Sequence, residues 1–349
     1  MLLAALALVL SSFPDQTPPA TEIAKLLDAH VRALDAESGG FCGAVLVAAK
    51  GKILLEQGYG IADAATGRTI AADALFDWAS VSKQFTAAAI LKLEMEKKLS
   101  IQDRLARFLP KVPADKAEIT LVEMLSHTSG LPKGFDPAWK WNPATRQGIF
   151  DLALSLPLAT RPGTKFEYNN MPYGVLAALV EELAQKPFED FCCETLFDPA
   201  GMKSASFIGH KRLDAARGPK SERGTGNYFP YGPRLDWGYR GCGGVMASVH
   251  DMFLWDRALR EDKLLSKAAK KELYTPVLQG YALGWYVGDD VKGRRVEHGG
   301  DTRATTCYSG RWLEEDLVVA IAYTYKPAVD KFTTGRALAQ IVRSGKAAK

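Results

Sequence analysis

The 349-residue sequence lacks the features that mark several functional classes. It has no run of basic residues and no alternation of basic and aromatic residues, and its formal net charge is only +4, so we do not expect nucleic-acid binding. No glycine-rich phosphate loop lies between a predicted strand and a predicted helix, which argues against a nucleotide cofactor. The Gly-x-Ser-x-Gly motif is also missing, and its absence disfavours the catalytic triad of an α/β-hydrolase.

Cysteine is scarce, and its spacing does not suggest a metal site. The five cysteines are an odd number with no zinc-binding pattern: Cys42, Cys192, Cys193, Cys242 and Cys307. The histidines show no metal-ligand spacing with one another or with these cysteines. We therefore expect no metal and no organic cofactor. We expect buried free thiols, with a disulfide between Cys242 and Cys307 as the alternative.

The N-terminal apolar run is too short to span a bilayer. Residues 2–10 (LLAALALVL) fit the core of a secretory signal peptide. No Lys or Arg precedes this run and no clean Ala-x-Ala site follows it, so a buried N-terminal helix is the alternative. We predict a signal peptide at residues 1–20, an exported protein that is periplasmic or secreted, and no stable membrane span beyond this segment.

Predicted strands lie near both ends of the chain, and predicted helices lie between them. A hairpin turning at 50–52 follows a first helix at 21–36. Late strand-like runs precede a closing helix at 330–344, and they lie at 281–288, 294–298, 304–313 and 317–325. This order predicts an α/β (α+β) fold, in which an antiparallel sheet is flanked by helices and carries an inserted all-helical subdomain. We place the sheet subdomain at 21–75 plus 241–349 and the helical subdomain at 76–240.

The segment 76–86 (FDWASVSKQFT) contains the first candidate for chemistry. It leads into 87–99 (AAAILKLEMEKKL), which is rich in strong helix formers and free of Gly and Pro. Ser80 is therefore expected near a helix start, with Lys83 one turn along the same face and within reach of its hydroxyl. A Ser-x-x-Lys pair is typical of acyl-transfer enzymes. Such a pair also arises roughly once by chance in a chain of this length, so an N-cap serine before a solvated lysine is the alternative.

Two further motifs supply the context that the first one needs. A serine needs a base. A lysine can serve if burial and neighbouring positive charge lower its pKa toward neutrality, and a tyrosine can serve if neighbouring cations lower its pKa. Tyr168, beside Asn170 in a loop between predicted helices, is a candidate for that role, although a loop tyrosine alone is usually a packing residue. In 297–301 (EHGGD), two glycines allow close approach to a strand, and His298 is a candidate donor or partial positive charge. A turn histidine beside a hairpin is the alternative in isolation.

Taken together, the sequence resembles the serine β-lactamases and penicillin-binding-protein-like hydrolases. The motifs that carry the resemblance occur in the order Ser80-x-x-Lys83, Tyr168-x-Asn170 and His298-x-Gly300. Accompanying segments lie at 98–103, 125–131, 162–164, 197–202, 243–244 and 283–285. The group with class C β-lactamases, D-alanyl-D-alanine carboxypeptidases, D-aminopeptidases and esterases is the most similar, over roughly residues 25–345.

The resemblance implies a role for each motif residue. Ser80 would be the acylated nucleophile, and Lys83 and Tyr168 would form its proton-transfer network. Asn170 would hydrogen-bond Lys83 and the substrate. The backbone N–H groups of Ser80 and Asp301 would form the oxyanion hole. The implied substrate is a small molecule or a peptidoglycan-like compound.

The third motif departs from the family pattern. It begins with His298, which is largely neutral at pH 7 near its reference pKa of about 6.5, where the lactamases and peptidases usually have Lys. Asp301 stands where a small residue is usual, and Arg303 is a candidate carboxylate anchor that would compensate. We therefore favour an esterase or a D-amino-acid peptidase over a class C-like β-lactamase. A non-catalytic penicillin-recognising domain is the alternative from another class, and specificity is expected to depend on loops 133–145 and 208–240.

Overall fold

The computed structural model describes residues 19–36, 39–133, 145–219 and 235–348. The predicted signal peptide lies almost wholly outside these residues, as do 134–144 and 220–234 of the two predicted specificity loops. The described helices are α1 Ala20–Ala33, α2 Lys83–Met95, α3 Leu121–Leu125, α4 Arg146–Ser155, α5 Met171–Ala184, α6 Phe188–Cys192, α7 Asp198–Ala200, α8 Val249–Arg260, α9 Lys267–Leu273 and α10 Lys331–Ser344. The described strands are β1 Gly43–Ala49, β2 Lys52–Tyr59, β3 Ile61–Asp63, β4 Arg68–Thr69, β5 Phe76–Asp77, β6 Ser206–Phe207, β7 Val245–Ala247, β8 Tyr286–Asp290, β9 Gly293–Asp301, β10 Thr306–Trp312 and β11 Leu317–Tyr323.

The main sheet has six antiparallel strands in the order β2-β1-β11-β10-β9-β8. Strand β1, near the start of the chain, pairs with β11, near its end, in the register Gly43↔Tyr323 to Ala49↔Leu317. Both strands are continuous apolar runs because each is covered on both faces. The prediction of an antiparallel sheet assembled from both ends of the chain is confirmed.

Helices cover the two faces of this sheet. On β10, the ring of Tyr308 packs against Gly335 of α10. Three residues later, Arg311 Nε donates to Asp256 of α8 over 2.7 Å. Because side chains alternate along a strand, this odd separation places α10 and α8 on opposite faces. Helix α1 packs beside α10.

Helix α2 is the centre of the helical part of the molecule. Its residues 83–91 are all buried, as expected for a helix that packs on every side. It contacts α5, α6 and α9. The middle of the chain also contains strands, since β5 and β6 both pair with β7 in a small sheet. With two or three residues each, these strands are too short to show an alternating pattern in the sequence.

The predicted strand at 281–288 is wrong over its first half. Strand β8 begins only at Tyr286, and Gly284 adopts a left-handed conformation with φ of +75°. A Cβ on Gly284 would lie 2.9 Å from the carbonyl carbon of Lys83. The apolar run 281–285 is therefore a tight turn packed against the start of α2, where only glycine fits.

Candidate active site

Ser80 lies in a constrained turn between β5 and α2. A 3₁₀ helix, Ala79–Ser82, contains Ser80, and Ala79 has a φ of +44°, which is unfavourable for a residue with a side chain. The buried carboxylate of Asp77 accepts the Ala79 N–H over 2.8 Å and stabilises this turn. The same carboxylate accepts the Tyr239 hydroxyl over 2.8 Å, and burial raises the pKa of Asp77 to about 6. No motif in the sequence points to this role of Asp77.

Lys83 is fully buried and directed at Ser80. Its Nζ lies 3.1 Å from Ser80 Oγ, 2.8 Å from Asn170 Oδ1 and 3.2 Å from the carbonyl oxygen of Cys242. Burial lowers the pKa of Lys83 to about 8, because the charged amine is poorly solvated there. A neutral amine would donate to Asn170 and Cys242 and accept the Ser80 proton, so this geometry suits a general base.

Tyr168 contacts the same two groups. The Ser80 side chain is close enough to the Tyr168 hydroxyl to lower its pKa, although less than burial raises it, and Lys83 Nζ lies 4.8 Å from the centre of the Tyr168 ring. The condition under which Tyr168 could serve as the base, a pKa lowered by neighbouring cations, is not met: burial outweighs the effect of Lys331 and raises this pKa above its usual value. Tyr168 therefore stays protonated, and Lys83 is the better base.

The residues after Tyr168 fix the position of Asn170. Asn169 Nδ2 donates to the carbonyl oxygens of Leu131 and Pro132, both over 2.8 Å. Its Oδ1 accepts the N–H of Met171, the first residue of α5, over 3.0 Å. This buried amide holds the start of α5, so that the neighbouring Asn170 faces Lys83.

The third motif lies against the Ser80 turn. The pairing of β8 with β9 ends at Glu297, so the last four residues of β9 extend beyond β8. A Cβ on Gly300 would lie 2.8 Å from both the Trp78 carbonyl oxygen and the Ala79 Cβ. Glycine at this position is what allows β9 to approach the turn that carries Ser80.

The carboxylate of Asp301 has a cationic partner that the sequence did not suggest. Lys331 Nζ, from the first turn of α10, lies 2.6 Å from Asp301 Oδ2. The Lys331 stem crosses Gly299, where a Cβ would lie 2.3 Å from Lys331 Cε. The predicted anchor Arg303 is an exposed residue of the turn between β9 and β10. The charge of Asp301 is therefore balanced by Lys331.

His298 is buried and neutral. Its Nδ1 lies 2.7 Å from the Gly299 carbonyl oxygen and its Nε2 lies 3.0 Å from Tyr281 Oη. Burial lowers the pKa of His298 to about 3, and the charge of Lys83 adds to the effect. The prediction of a partial positive charge is wrong for this reason, whereas the expectation of a neutral ring agrees with the structure.

A Ser-His-Asp arrangement lies outside this site. His210 bonds Ser206 Oγ through Nδ1 over 3.0 Å and Asp190 Oδ1 through Nε2 over 3.1 Å. Ser206 is fully buried, so no substrate reaches its hydroxyl. This trio connects β6 to α6 and has a structural role.

All five cysteines are buried and free, so the alternative of a Cys242–Cys307 disulfide is not formed. Within the described residues, no three His, Cys, Asp or Glu side chains are grouped so that they could hold a metal ion. Across the same part of the chain, no helix has the length and apolar character that a membrane span needs.

Comparison with known proteins identifies the family. The Beta-lactamase family model matches residues 27–343, and the chain belongs to this family. Penicillin-binding protein 4* of Bacillus subtilis (strain 168) is 32% identical over 294 residues, which are 76% of this chain and 64% of that protein. A D-aminopeptidase of Brucella anthropi is 27% identical over 315 residues, which are 86% of this chain and 59% of that protein.

A solved structure shows the same fold. The β-lactamase/D-alanine carboxypeptidase from Yersinia pestis, complexed with citrate, superposes with a TM-score of 0.77 at 20% identity, covering 94% of this chain and 100% of that one. The present chain spans less than two thirds of the length of the Bacillus and Brucella relatives. The chain therefore belongs to the Beta-lactamase family and has the β-lactamase fold.

Proposed function

We propose that this protein hydrolyses an ester or amide of a D-amino acid through an acyl-enzyme on Ser80. The observation that carries the proposal is the fully buried Lys83 amine, 3.1 Å from Ser80 Oγ. Its pKa of about 8 makes a substantial fraction neutral near physiological pH. A serine beside a neutral amine is an activated nucleophile.

The proposed reaction proceeds in two halves. Ser80 transfers its proton to Lys83 as Oγ bonds to the carbonyl carbon, and the backbone N–H groups of Ser80 and Asp301 stabilise the oxyanion. The bond to the leaving group then breaks, and the leaving group takes a proton that passes from Lys83 through Tyr168. Water attacks the acyl-enzyme and gives a proton to the same network. Ser80 Oγ leaves with a proton, and the acid is released.

Charge at the third motif supports a substrate without a carboxylate beside the scissile bond. The first position of the motif is the neutral His298, and the nearby cation Lys331 is already paired with Asp301. A β-lactam carries a carboxylate that needs an unpaired cation there. The similarity to the D-aminopeptidase of Brucella anthropi also supports a D-amino-acid substrate.

A penicillin-acylated protein is the second candidate, favoured by the similarity to penicillin-binding protein 4*. A non-catalytic binding domain is the third. The two candidates predict different results. A penicillin-acylated protein forms a stable penicillin adduct on Ser80, and a non-catalytic binding domain hydrolyses no ester.

The experiment that tests the proposal compares hydrolysis of D-alanine p-nitroanilide, L-alanine p-nitroanilide and p-nitrophenyl acetate. We expect turnover of the ester and the D-anilide, and loss of both in Ser80→Ala. Ser206→Ala is the control, because this serine belongs to the buried trio with His210 and should leave turnover unchanged. Turnover that survives Ser80→Ala would contradict the assignment. The mass of the intact protein after exposure to penicillin tests the second candidate, which predicts a stable adduct on Ser80.

We also propose that the protein is exported, on the basis of the apolar run at 2–10. N-terminal sequencing of protein recovered from its native host tests this. A mature N-terminus close to residue 20 supports export, and an intact Met1 in the cytoplasmic fraction contradicts it.

A further inference from the structure

A chain of hydrogen bonds connects the two sides of the site through residues to which the proposed reaction gives no role. It begins at the buried His127, which has a left-handed φ of +60°. His127 Nδ1 lies 3.2 Å from the backbone nitrogen of Asn169. A backbone N–H can only donate, so Nδ1 carries no proton and the neutral ring carries its proton on Nε2.

The direction of the remaining bonds follows from this end. His127 Nε2 lies 3.2 Å from Tyr281 Oη and therefore donates to it. Tyr281 has one proton, and its hydroxyl lies 3.0 Å from His298 Nε2. At the other end, His298 Nδ1 lies 2.7 Å from the Gly299 carbonyl oxygen, which can only accept. His298 therefore carries its proton on Nδ1, and Nε2 accepts from Tyr281.

The alternative tautomer of His298, with its proton on Nε2, is excluded by the same count of donors and acceptors. Tyr173 gives its own proton to the Leu125 carbonyl oxygen over 2.6 Å, so it could only accept the proton of Tyr281. The atoms within hydrogen-bond distance of Tyr281 Oη are His127 Nε2 and His298 Nε2, so its proton goes to His298. If His298 carried its proton on Nε2, the lone pair of Nδ1 would face the Gly299 oxygen at 2.7 Å. Two acceptors at that distance repel each other, so the first arrangement is the stable one.

The two ends of this chain belong to the two walls of the site. Asn169 lies between Tyr168 and Asn170, and the His127 ring packs 4.3 Å from the Tyr168 ring, centre to centre. Gly299 precedes Gly300, the residue through which β9 contacts the Ser80 turn. The bonds thus connect the loop that carries Tyr168 to the strand that carries the third motif.

We propose that His127 and Tyr281 are positioning residues, which hold His298 in its Nδ1–H form and fix β9 at its distance from Tyr168 and Ser80. This inference rests on the proposed function for its kinetic consequence, while the proton positions stand independently of it. His298, with both nitrogens engaged, acts on the backbone of β9 and does not donate to the substrate.

The kinetic test uses Tyr281→Phe, which keeps the ring and leaves His127 Nε2 and His298 Nε2 without a partner. We expect kcat for p-nitrophenyl acetate to fall about 10- to 100-fold with KM within about twofold, because small displacements of reacting groups have effects of this size. Tyr286→Phe is the matched control, since this half-buried ring also packs against His298, at 5.3 Å, and its hydroxyl is not in the chain. It should retain activity within about twofold.

The structural test is the ¹⁵N spectrum of the histidine rings in the native protein. We expect His127 as the Nε2–H tautomer and His298 as the Nδ1–H tautomer, with His298 changing to a mixture in Tyr281→Phe. Native His298 protonated on Nε2, or a folded Tyr281→Phe protein with full kcat, would overturn the proposal. If Tyr281→Phe does not fold, His127→Gln replaces it: Gln keeps a donor toward Tyr281, and it should exceed His127→Leu in kcat.

These outcomes are distinguishable from failure of the proposed function. Absence of esterase activity in the native protein contradicts the acyl-enzyme assignment and leaves the two tautomers to be judged from the spectrum alone.

Discussion

Gly300 of β9 and Ala79 of the Ser80 turn are in contact at a distance that no side chain at position 300 would allow. A Cβ there would lie 2.8 Å from the Ala79 Cβ, and 2.8 Å from the Cys307 sulfur on the next strand. The separation between the nucleophile and the third motif is therefore set by the absence of one carbon atom.

We expect Gly300→Ala to lower both activity and stability. The added methyl group must displace either β9 or the Ser80 turn, and overpacking of this kind costs about 1–3 kcal/mol. Thermal unfolding and kcat for p-nitrophenyl acetate measure the two effects. Gly288→Ala is the control in the same sheet, because its Cβ would meet only the flexible end of Arg295 at 3.0 Å. Equal behaviour of the two variants would contradict this interpretation.

The pH dependence of kcat/KM should follow Lys83. Its neutral form is the base, so the rate should rise with pH to a plateau, with a midpoint at about 8. No inflection is expected near 6.5, since the pKa of His298 is lowered to about 3. An inflection near 6.5 that disappears in His298→Asn would show that His298 titrates. His250→Gln, which changes a histidine bonded to Glu56, should leave the profile unchanged.

The Asp301–Lys331 ion pair should set the preference for charge in the substrate. Asp301→Asn leaves Lys331 unpaired, and we expect it to favour mono-p-nitrophenyl succinate over p-nitrophenyl acetate by about 3- to 10-fold relative to the native protein. Lys331→Met leaves Asp301 unpaired and should shift the ratio the other way. Both shifts should shrink in 0.5 M salt, measured as kcat/KM, as expected for about 4 Å of screening length. If neither substitution changes the ratio of kcat/KM for the two esters, the Asp301–Lys331 pair has no role in specificity.

Asp77 should make stability depend on pH. Burial raises its pKa from 3.8 to about 6, so the folded protein holds a proton that the unfolded chain loses first. Its contribution to stability therefore falls as pH rises from about 4 to about 6, by an amount on the order of 3 kcal/mol. Urea unfolding of native protein and Asp77→Asn at pH 4 and pH 7 measures this. The asparagine variant should lose less stability over that interval, and parallel losses would contradict the assignment.

The sequence predicts those parts of the molecule that follow from local pattern. The apolar runs of β1 and β11 predict strands, and the helix formers after Ser80 place Lys83 within reach of its hydroxyl. The turn at Gly51 predicts the hairpin of β1 and β2. In each case the residues that carry the pattern lie in the predicted element or within a few residues of it.

Contacts between distant segments could not be predicted in this way. Lys331 reaches Asp301 because the first turn of α10 lies against Gly299 of β9, and nothing near either residue in the sequence indicates that pairing. The pKa of Tyr168 is raised because its side chain is buried in the folded protein, and this burial cannot be read from the residues around it in the sequence. The apolar run that contains Tyr281 predicts a strand. In the structure the left-handed Gly284 makes this segment a turn beside α2.

The pairing of β1 with β11 has a consequence for how the chain reaches its native state. Strand β1 ends at Ala49, and its neighbour β11, which ends at Tyr323, is synthesised long after it. Until then one edge of the apolar β1 is open to pairing with other chains. Contacts so far apart in sequence also slow folding, so a growing or truncated chain that ends before Leu317 is at risk of aggregation through β1.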